Sequence, residues 1–319
     1  MVKMEKGRQD MKMVLLTGAA GFIGSNVAAR IMKSGDFVVH GCDNYSFGDK
    51  LNVPEGLSMY NRGFEELTPA ILSEYEILIH CATSNIIYGM DNPIATFQNN
   101  AVRTMELFRQ FKGKIIYTST SSVYGQADVF PTPETAPIRT YNAYDTSKRI
   151  AEMYLQQRGN FTTLRLSNVY GHGQRASNPY CGVLGRFLRN SLEGNISLIF
   201  GVGDQTRDYT YIDDVVDAIY RALKYPAFET EINIGTGIET SVIELLGLMP
   251  WKGTWKHVQE RDIDRVKRRC LDISKARTKL QWTPLVKLKD GINKTLDWLS
   301  AEKGRDTSSK AVDSSKVKA

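Results

Sequence analysis

The chain has 319 residues, 42% of them apolar, which is enough to bury a sizeable core as one interleaved two-lobed unit. Of its formal charge of +6, residues 1 to 12 and 301 to 319 carry +2 each, and both stretches read as disordered polar tails, so the body is near neutral and nucleic acid is not an expected partner. No apolar run is long enough to span a bilayer and nothing resembles a signal peptide, so no membrane association is expected.

In chain order, Met13 to Thr17 predicts a short buried strand, and Gly18-Ala-Ala-Gly21-Phe22-Ile23-Gly24 follows it before a helical pattern from Phe22 to Lys33. That is strand, tight turn, helix. Gly18 permits the turn, Gly21 lets the backbone approach a pyrophosphate, and Gly24 lets helix pack on strand, while the helix N-terminus offers N–H groups to the anion. Ser34-Gly35 stops the helix, and Phe37 to Cys42 predicts a second buried strand ending at Asp43. A carboxylate there accepts from ribose hydroxyls and repels a 2'-phosphate, and no arginine follows in Asp43-Asn44-Tyr-Ser46, so NAD is favoured over NADP.

Glu76 to His80 predicts a strand, 93 to 111 a helix, and Lys114 to Ser119 another strand, closed by Thr120-Ser-Ser-Val-Tyr-Gly125 at the sheet's carboxyl edge. Tyr144-Asp-Thr-Ser-Lys148 opens a helix running to about Gln157, so Tyr144 and Lys148 stand one turn apart on one face. A lysine ammonium at that distance favours tyrosinate, and such a tyrosine can exchange a proton with a sugar hydroxyl that Thr120 helps to orient. Further strands are predicted at Thr162 to Leu166, Ser197 to Phe200 and Glu231 to Ile234, and helices at 182 to 192, 213 to 224 and 289 to 300. Strand alternating with helix gives an α/β class: a Rossmann-type doubly wound parallel sheet over about 12 to 170, with returns near 207 to 235, and a smaller interleaved substrate lobe over 171 to 300.

Cys42, Cys81, Cys181 and Cys270 show no paired spacing, which predicts reduced thiols in a cytoplasmic protein. His40, His80, His172 and His257 form no ligand spacing, so no metal is expected, and His80, ending a buried strand, reads as a satisfied core histidine.

These pieces, with His80-Cys81-Ala82, Asn99, Arg165-Leu-Ser-Asn168-Val-Tyr-Gly171, Arg207-Asp-Tyr and Asn233-Ile-Gly-Thr-Gly237, resemble the extended short-chain dehydrogenase/reductases, specifically the nucleotide-sugar epimerases and dehydratases similar to UDP-glucose 4-epimerase. The resemblance runs from about Lys12 to Ser300. It implies that Tyr144 is the catalytic acid/base, Thr120 its hydroxyl partner, and Lys148 a ribose contact that depresses the tyrosine pKa. It adds Phe22, Ile23, Asn44, Ser46, Cys81, Ala82 and Asn99 to the NAD site. It gives the nucleotide sugar to Asn168, Val183, Phe200, Arg207, Arg261 and Asp264, and it implies a homodimer through helices like 93 to 111 and 141 to 157.

Dehydrating relatives carry an aspartate and a glutamate after the threonine, and decarboxylating ones a glutamate at the second position. Here those residues are Ser121 and Ser122, which leaves 4-epimerisation of a UDP-hexose or derivative through a 4-keto sugar. A ketoreductase of the same family, or a non-catalytic nucleotide-binding protein, is the rival reading. Tyr60-Asn-Arg-Gly-Phe64 replaces the family's acidic motif after the third strand, with Asn61 or Glu65 as substitutes for its contact to adenine. Near Arg261-Asp-Ile-Asp264 the cluster Arg265, Lys267, Arg268 and Arg269 reads either as a site for an extra anionic group, such as a uronate, or as a solvated basic loop.

Overall fold

The computed structural model describes residues 11–175, 182–250, 254–260 and 266–316, with side chains as far as 302. Arg261, Asp264, Arg265 and Cys181 lie outside the described residues. The strands are β1 (Met13–Thr17), β2 (Val38–Cys42), β3 (Ser58–Tyr60), β4 (Ile77–His80), β5 (Lys114–Thr120), β6 (Phe161–Leu166), β7 (Asn168–Tyr170), β8 (Ser197–Phe200), β9 (Thr206–Tyr211), β10 (Thr230–Ile234), β11 (Glu239–Ser241) and β12 (Trp255–Val258). Seven form one parallel sheet in the order β10-β6-β5-β4-β1-β2-β3. The order reverses between β1 and β4, and a crevice opens at such a point beyond the carboxyl ends of the strands.

Both faces of this sheet are covered. Val14 and Leu16 of β1, with Ile79 and Ile116, face one core, while Leu15, Leu78, Ile115 and Tyr117 face the other, as the two-residue period of a strand requires. Central strands buried on both sides read as continuous apolar runs, which is why β1 and β4 were legible as buried strands.

The smaller lobe carries a three-stranded sheet, β11-β9-β7, and the pair β12-β8. The chain crosses over abruptly. Ser167 still bonds through its N–H to Ile234 O, 2.9 Å, at the edge of the large sheet, and the next residue, Asn168, already pairs with Tyr209 of β9. Of the expected returns near 207 to 235, β9 therefore belongs to the smaller sheet, and the helix Ile212–Lys224 with β10 makes the return. The helix expected over 93 to 111 is Pro93–Phe97, a wider π turn at Gln98–Arg103, and Thr104–Gln110. Thr104 Oγ1 donates to Asn99 O five residues back, 3.1 Å, and Asn100 bonds both ways with the Ser84 backbone at 2.8 Å. The last helix spans Leu288–Lys316, past position 300 where the sequence pattern ends it. Among the described residues no helix is long and apolar enough to cross a membrane, and no His, Cys, Asp and Glu cluster could hold a metal ion.

Candidate active site

The glycine turn is built by close contact. Gly18 sits at φ +74°, and a Cβ there would lie 2.6 Å from Ala82 N, so only glycine lets β1 leave this close to the chain after β4. A Cβ on Gly24 would lie 2.0 Å from Gly18 O, which presses the first helical turn onto the glycine loop. Gly21 precedes the helix Phe22–Ser34 with no side-chain cap, so the first N–H groups face the crevice, where an anion would complete them.

The crevice is a cleft of about 390 Å³ lined by Gly18, Gly21, Phe22, Ile23 and Gly24 from the turn, and by Asp43, Asn44 and Ser46 after β2. Cys81, Ala82 and Asn99 form the opposite wall. Thr83, Asn85, Tyr88, Arg103 and Gln174 line it as well; Tyr88 lies on the short helix Ile86–Asp91 and Arg103 on the π turn, and no local period in the sequence says that these side chains face the cleft.

Asp43 Oδ2 accepts from Ala20 N at 3.0 Å and Oδ1 from Tyr45 N at 2.7 Å, which fixes the carboxylate in the cleft wall. Burial raises its pKa, against the pull of these two N–H groups. Of the candidates for an adenine contact, Asn61 accepts from the Tyr45 hydroxyl and Glu65 pairs with Arg103 at 2.9 Å, whereas Gly63 and Phe64 line the cleft. The cradle, the free helix N-terminus and the placed carboxylate suit a dinucleotide: pyrophosphate at Gly18 to Gly24, ribose hydroxyls at Asp43. His80 lies behind, fully buried, with Nδ1 2.7 Å from Thr17 Oγ1 and Nε2 3.1 Å from Thr104 Oγ1, and burial holds its pKa well below the ordinary value.

Thr120 ends β5, and its Oγ1 accepts from Ser122 N at 3.1 Å and lies 3.0 Å from Ser122 Oγ. Tyr144 enters the helix Ala143–Arg158 and hydrogen-bonds Thr120 through its hydroxyl. Burial first, and Asp145 second, push the phenol up to about 12, while Thr120 and the Arg269 guanidinium pull it down. The expected lowering of this pKa by Lys148 is not seen in the protein's own groups. Lys148, 2% exposed, donates to Thr118 O at 2.7 Å and lies 4.5 Å from the centre of the Tyr117 ring, because the buried carbonyl of β5 claims the ammonium. Burial brings Lys148 down to about 8, with Cys81 and Glu152 opposing.

The site also holds a carboxylate that sequence reasoning missed. Asp145 is 2% exposed, accepts from Asn142 Nδ2 at 2.8 Å, and lies close enough to Ser122 and Arg269 for both to act on it. Its pKa is raised by burial against those neighbours. Positions 121 and 122 are hydroxyls, and the carboxylate beside Tyr144 comes from the tyrosine's own helix.

On the other lobe, Asn168 opens β7 opposite Tyr209, and Arg207 stands two residues ahead of Tyr209 on the same face of β9, donating to Thr206 O at 2.7 Å. Arg207 and Arg269 sit close enough to lower the pKa of Arg269. Val183 begins the helix Val183–Glu193 and Phe200 ends β8; both are half-buried on the smaller lobe and outside the dinucleotide cleft.

Residues 14–235 match the model of the NAD dependent epimerase/dehydratase family. The chain is 30% identical over 318 residues to UDP-glucuronic acid decarboxylase 1 of Danio rerio, covering 92% of this chain and 74% of that one. It superposes on UDP-glucose 4-epimerase of Thermotoga maritima with UDP-glucose at a TM-score of 0.84 and 32% identity, over 91% of this chain and 99% of that one. With MoeE5 in complex with UDP-glucuronic acid and NAD the TM-score is 0.81 at 27% identity, over 91% and 99%. A glycine turn at the switch point of a parallel sheet, a carboxylate after the second strand, a tyrosine and lysine one turn apart and a family match over most of the sheet agree: the chain belongs to the NAD-dependent epimerase/dehydratase family, and NAD is its cofactor.

Proposed function

We propose that this protein is a nucleotide-sugar 4-epimerase acting on a UDP-hexose or a derivative of one. The observation that carries the reading is the grouping of Thr120, Tyr144 and Lys148 at the carboxyl edge of the sheet, with the hydroxyls Ser121 and Ser122 where elimination would need acids. Bound NAD supplies a redox partner that ends each cycle unchanged. The chain does the rest. Tyr144 takes the proton of the sugar's C4 hydroxyl and later returns it to the same oxygen once the configuration at C4 has inverted, with Thr120 orienting the shared hydrogen. A phenol near 12 is scarcely ionised at neutral pH, so nearby positive charge must lower it during turnover; Arg269 is the protein cation that already acts on it. Asn168 and Arg207 hold the diphosphate side, and arginine suits that work through paired charge-assisted bonds.

Decarboxylation is the second reading, favoured by Asp145 as a carboxylate beside Tyr144 and by relatives of that activity. Proton NMR of the purified protein in deuterated water, with UDP-, GDP- and dTDP-linked sugars and no added reductant, separates the readings. The expected result is conversion of one UDP-sugar to its C4 epimer without deuterium uptake. A pentose product with carbon dioxide would move the assignment to decarboxylase, and turnover only of a keto sugar with added NADH or NADPH would move it to ketoreductase. Tyr144→Phe is expected to lower kcat about 10³-fold, within the range for loss of a general acid/base, and to leave NAD affinity unchanged.

A further inference from the structure

The cofactor cleft is crossed by a pair of rings. Phe47, on the connection after β2, and Tyr88, on the short helix Ile86–Asp91 after β4, both line it, and their ring centres stand 4.9 Å apart, edge to face at 73°. β2 and β4 are not neighbours: β1 lies between them, and the glycine turn leaves the carboxyl end of β1. Strands two places apart in a sheet are separated by about 9.5 Å, so side chains that meet from the chain beyond their two ends do so over that turn. Rings in contact leave no gap between them through which a ribose or a phosphate could pass.

The two sides of this crossing are held differently. Tyr88 stands on a capped helix, where Asn85 Oδ1 accepts from Ile87 N and Tyr88 N, both at 3.0 Å. Phe47 stands on the irregular stretch between β2 and β3, which touches the glycine turn where Asp49 N donates to Ala20 O at 3.0 Å. Arg175 grips the same stretch from outside. It donates through Nε to Asn52 Oδ1 at 2.9 Å and through Nη2 to Leu51 O at 3.0 Å, lies 3.4 Å from Asp49, and pairs with Glu302 of the last helix. Asn52 in turn donates to Gly173 O at 3.1 Å. The side chains of Arg175 and Glu302 are 19% and 16% exposed, so their pair is screened less than one on open surface. A tether from the last helix therefore ends two residues beyond Phe47.

We infer that Phe47 and Tyr88 form a bar across the cofactor cleft that parts each time NAD enters or leaves, and that Arg175 with Glu302 keeps it shut by tethering the Phe47 side to the last helix. The bar concerns the cofactor and is independent of which sugar reaction follows. When two rings must part before a ligand passes in either direction, weakening their contact speeds entry and release by one factor and leaves the affinity where it was. A ring that merely touches the bound dinucleotide behaves otherwise: its loss speeds release alone and weakens binding by the same factor.

Stopped-flow fluorescence of the full-length protein with NADH tests this, entry being followed on nucleotide-free protein and release by chasing the NADH-loaded protein with excess NAD. Phe47→Ala should raise both rates about three- to tenfold, the worth of one aromatic pair, with Kd held within about twofold, and Phe47→Tyr should keep the parent's rates. Arg175→Met should raise both rates by a common factor, and Glu302→Gln should do the same by less. The double variant Phe47→Ala with Arg175→Met should be no faster than Phe47→Ala, because the tether acts through the ring. Faster release with unchanged entry would overturn the inference and make Phe47 a plain cofactor contact. Tighter binding with unchanged release would overturn it by placing the rings in the cofactor's own position, and unchanged rates in Phe47→Ala would remove the bar. Additive effects in the double variant would overturn the role given to Arg175 and Glu302.

Discussion

Lys148 is a cation in a place that resists charge. Its ammonium is buried, bonded to one carbonyl, and brought down to about 8 chiefly by desolvation. The folded chain gives up this proton near pH 8, whereas an unfolded chain keeps it to about 10.5, so the contribution of Lys148 to stability rises with pH between those values and is least below pH 8. Lys148→Met removes the charge at every pH. Whatever constant offset the lost bond to Thr118 imposes, the stability of the variant relative to the parent should fall by about 2 to 3 kcal/mol between pH 7 and pH 10.5. Urea titrations of NAD-free protein across that range measure it, since other titrating groups cancel between the two proteins. A gap independent of pH would mean that the lysine is not desolvated in the fold.

The helix Ala143–Arg158 connects chemistry to scaffold. Asn142 caps it by accepting from Asp145 N at 2.9 Å, and Tyr144, Lys148 and Glu152 follow at one-turn intervals on one face. Glu152, wholly buried, accepts from Arg165 at 3.0 and 2.7 Å and from Ser119 Oγ at 2.6 Å, next to Thr120. Arg165 reaches on to the Tyr124 hydroxyl at 2.9 Å, which donates to Asn233 Oδ1 at 2.8 Å. One polar chain thus ties the tyrosine helix to β5, β6 and β10. Glu152→Ala strands the Arg165 guanidinium without its partner and should cost about 3 to 5 kcal/mol in a urea titration, whereas a loss under about 1 kcal/mol would show that the pair is not desolvated. The sequence made Tyr144 and Lys148 visible because helix spacing is local. It displayed Tyr124, Arg165 and Asn233 only as parts of motifs, since their meaning depends on strands far apart in the chain. Arg269 was visible only as one of a basic cluster: its approach to Tyr144 and Asp145 depends on a segment held at Thr132, Thr206 and Asp208, and no local period records those anchors.

At the scale of the molecule, the two lobes are tied together through β9. Asp208 on β9 accepts from Thr236 N at 2.8 Å, Thr236 Oγ1 at 2.7 Å and Gly237 N at 3.2 Å, so a buried carboxylate of the smaller sheet holds the loop that follows β10 of the larger one. The outer surface of the larger lobe is less complete. The helices at Pro93–Phe97 and Thr104–Gln110 run beside Ala143–Arg158, and apolar side chains on this layer remain in solvent: Ile94 at 82% exposure, Met90 at 47% and Met153 at 46%, with Phe97 and Val102 also outside. Monomeric proteins seldom leave so many large apolar groups on one helical layer, and a second copy of the same layer would cover them with two-fold symmetry. The parent is accordingly expected to elute at twice its 35.9 kDa mass in size-exclusion chromatography with light scattering. Ile94→Asp combined with Met153→Asp should shift it to the monomer, because two carboxylates would be desolvated in each half of a contact that needs about 800 Å² per partner. Both substitutions lie on exposed positions, so the folded state should survive them and NAD binding should persist in the monomer. A parent already at the monomer mass would leave this layer as plain surface, and an unchanged dimer in the double variant would move the contact to another face.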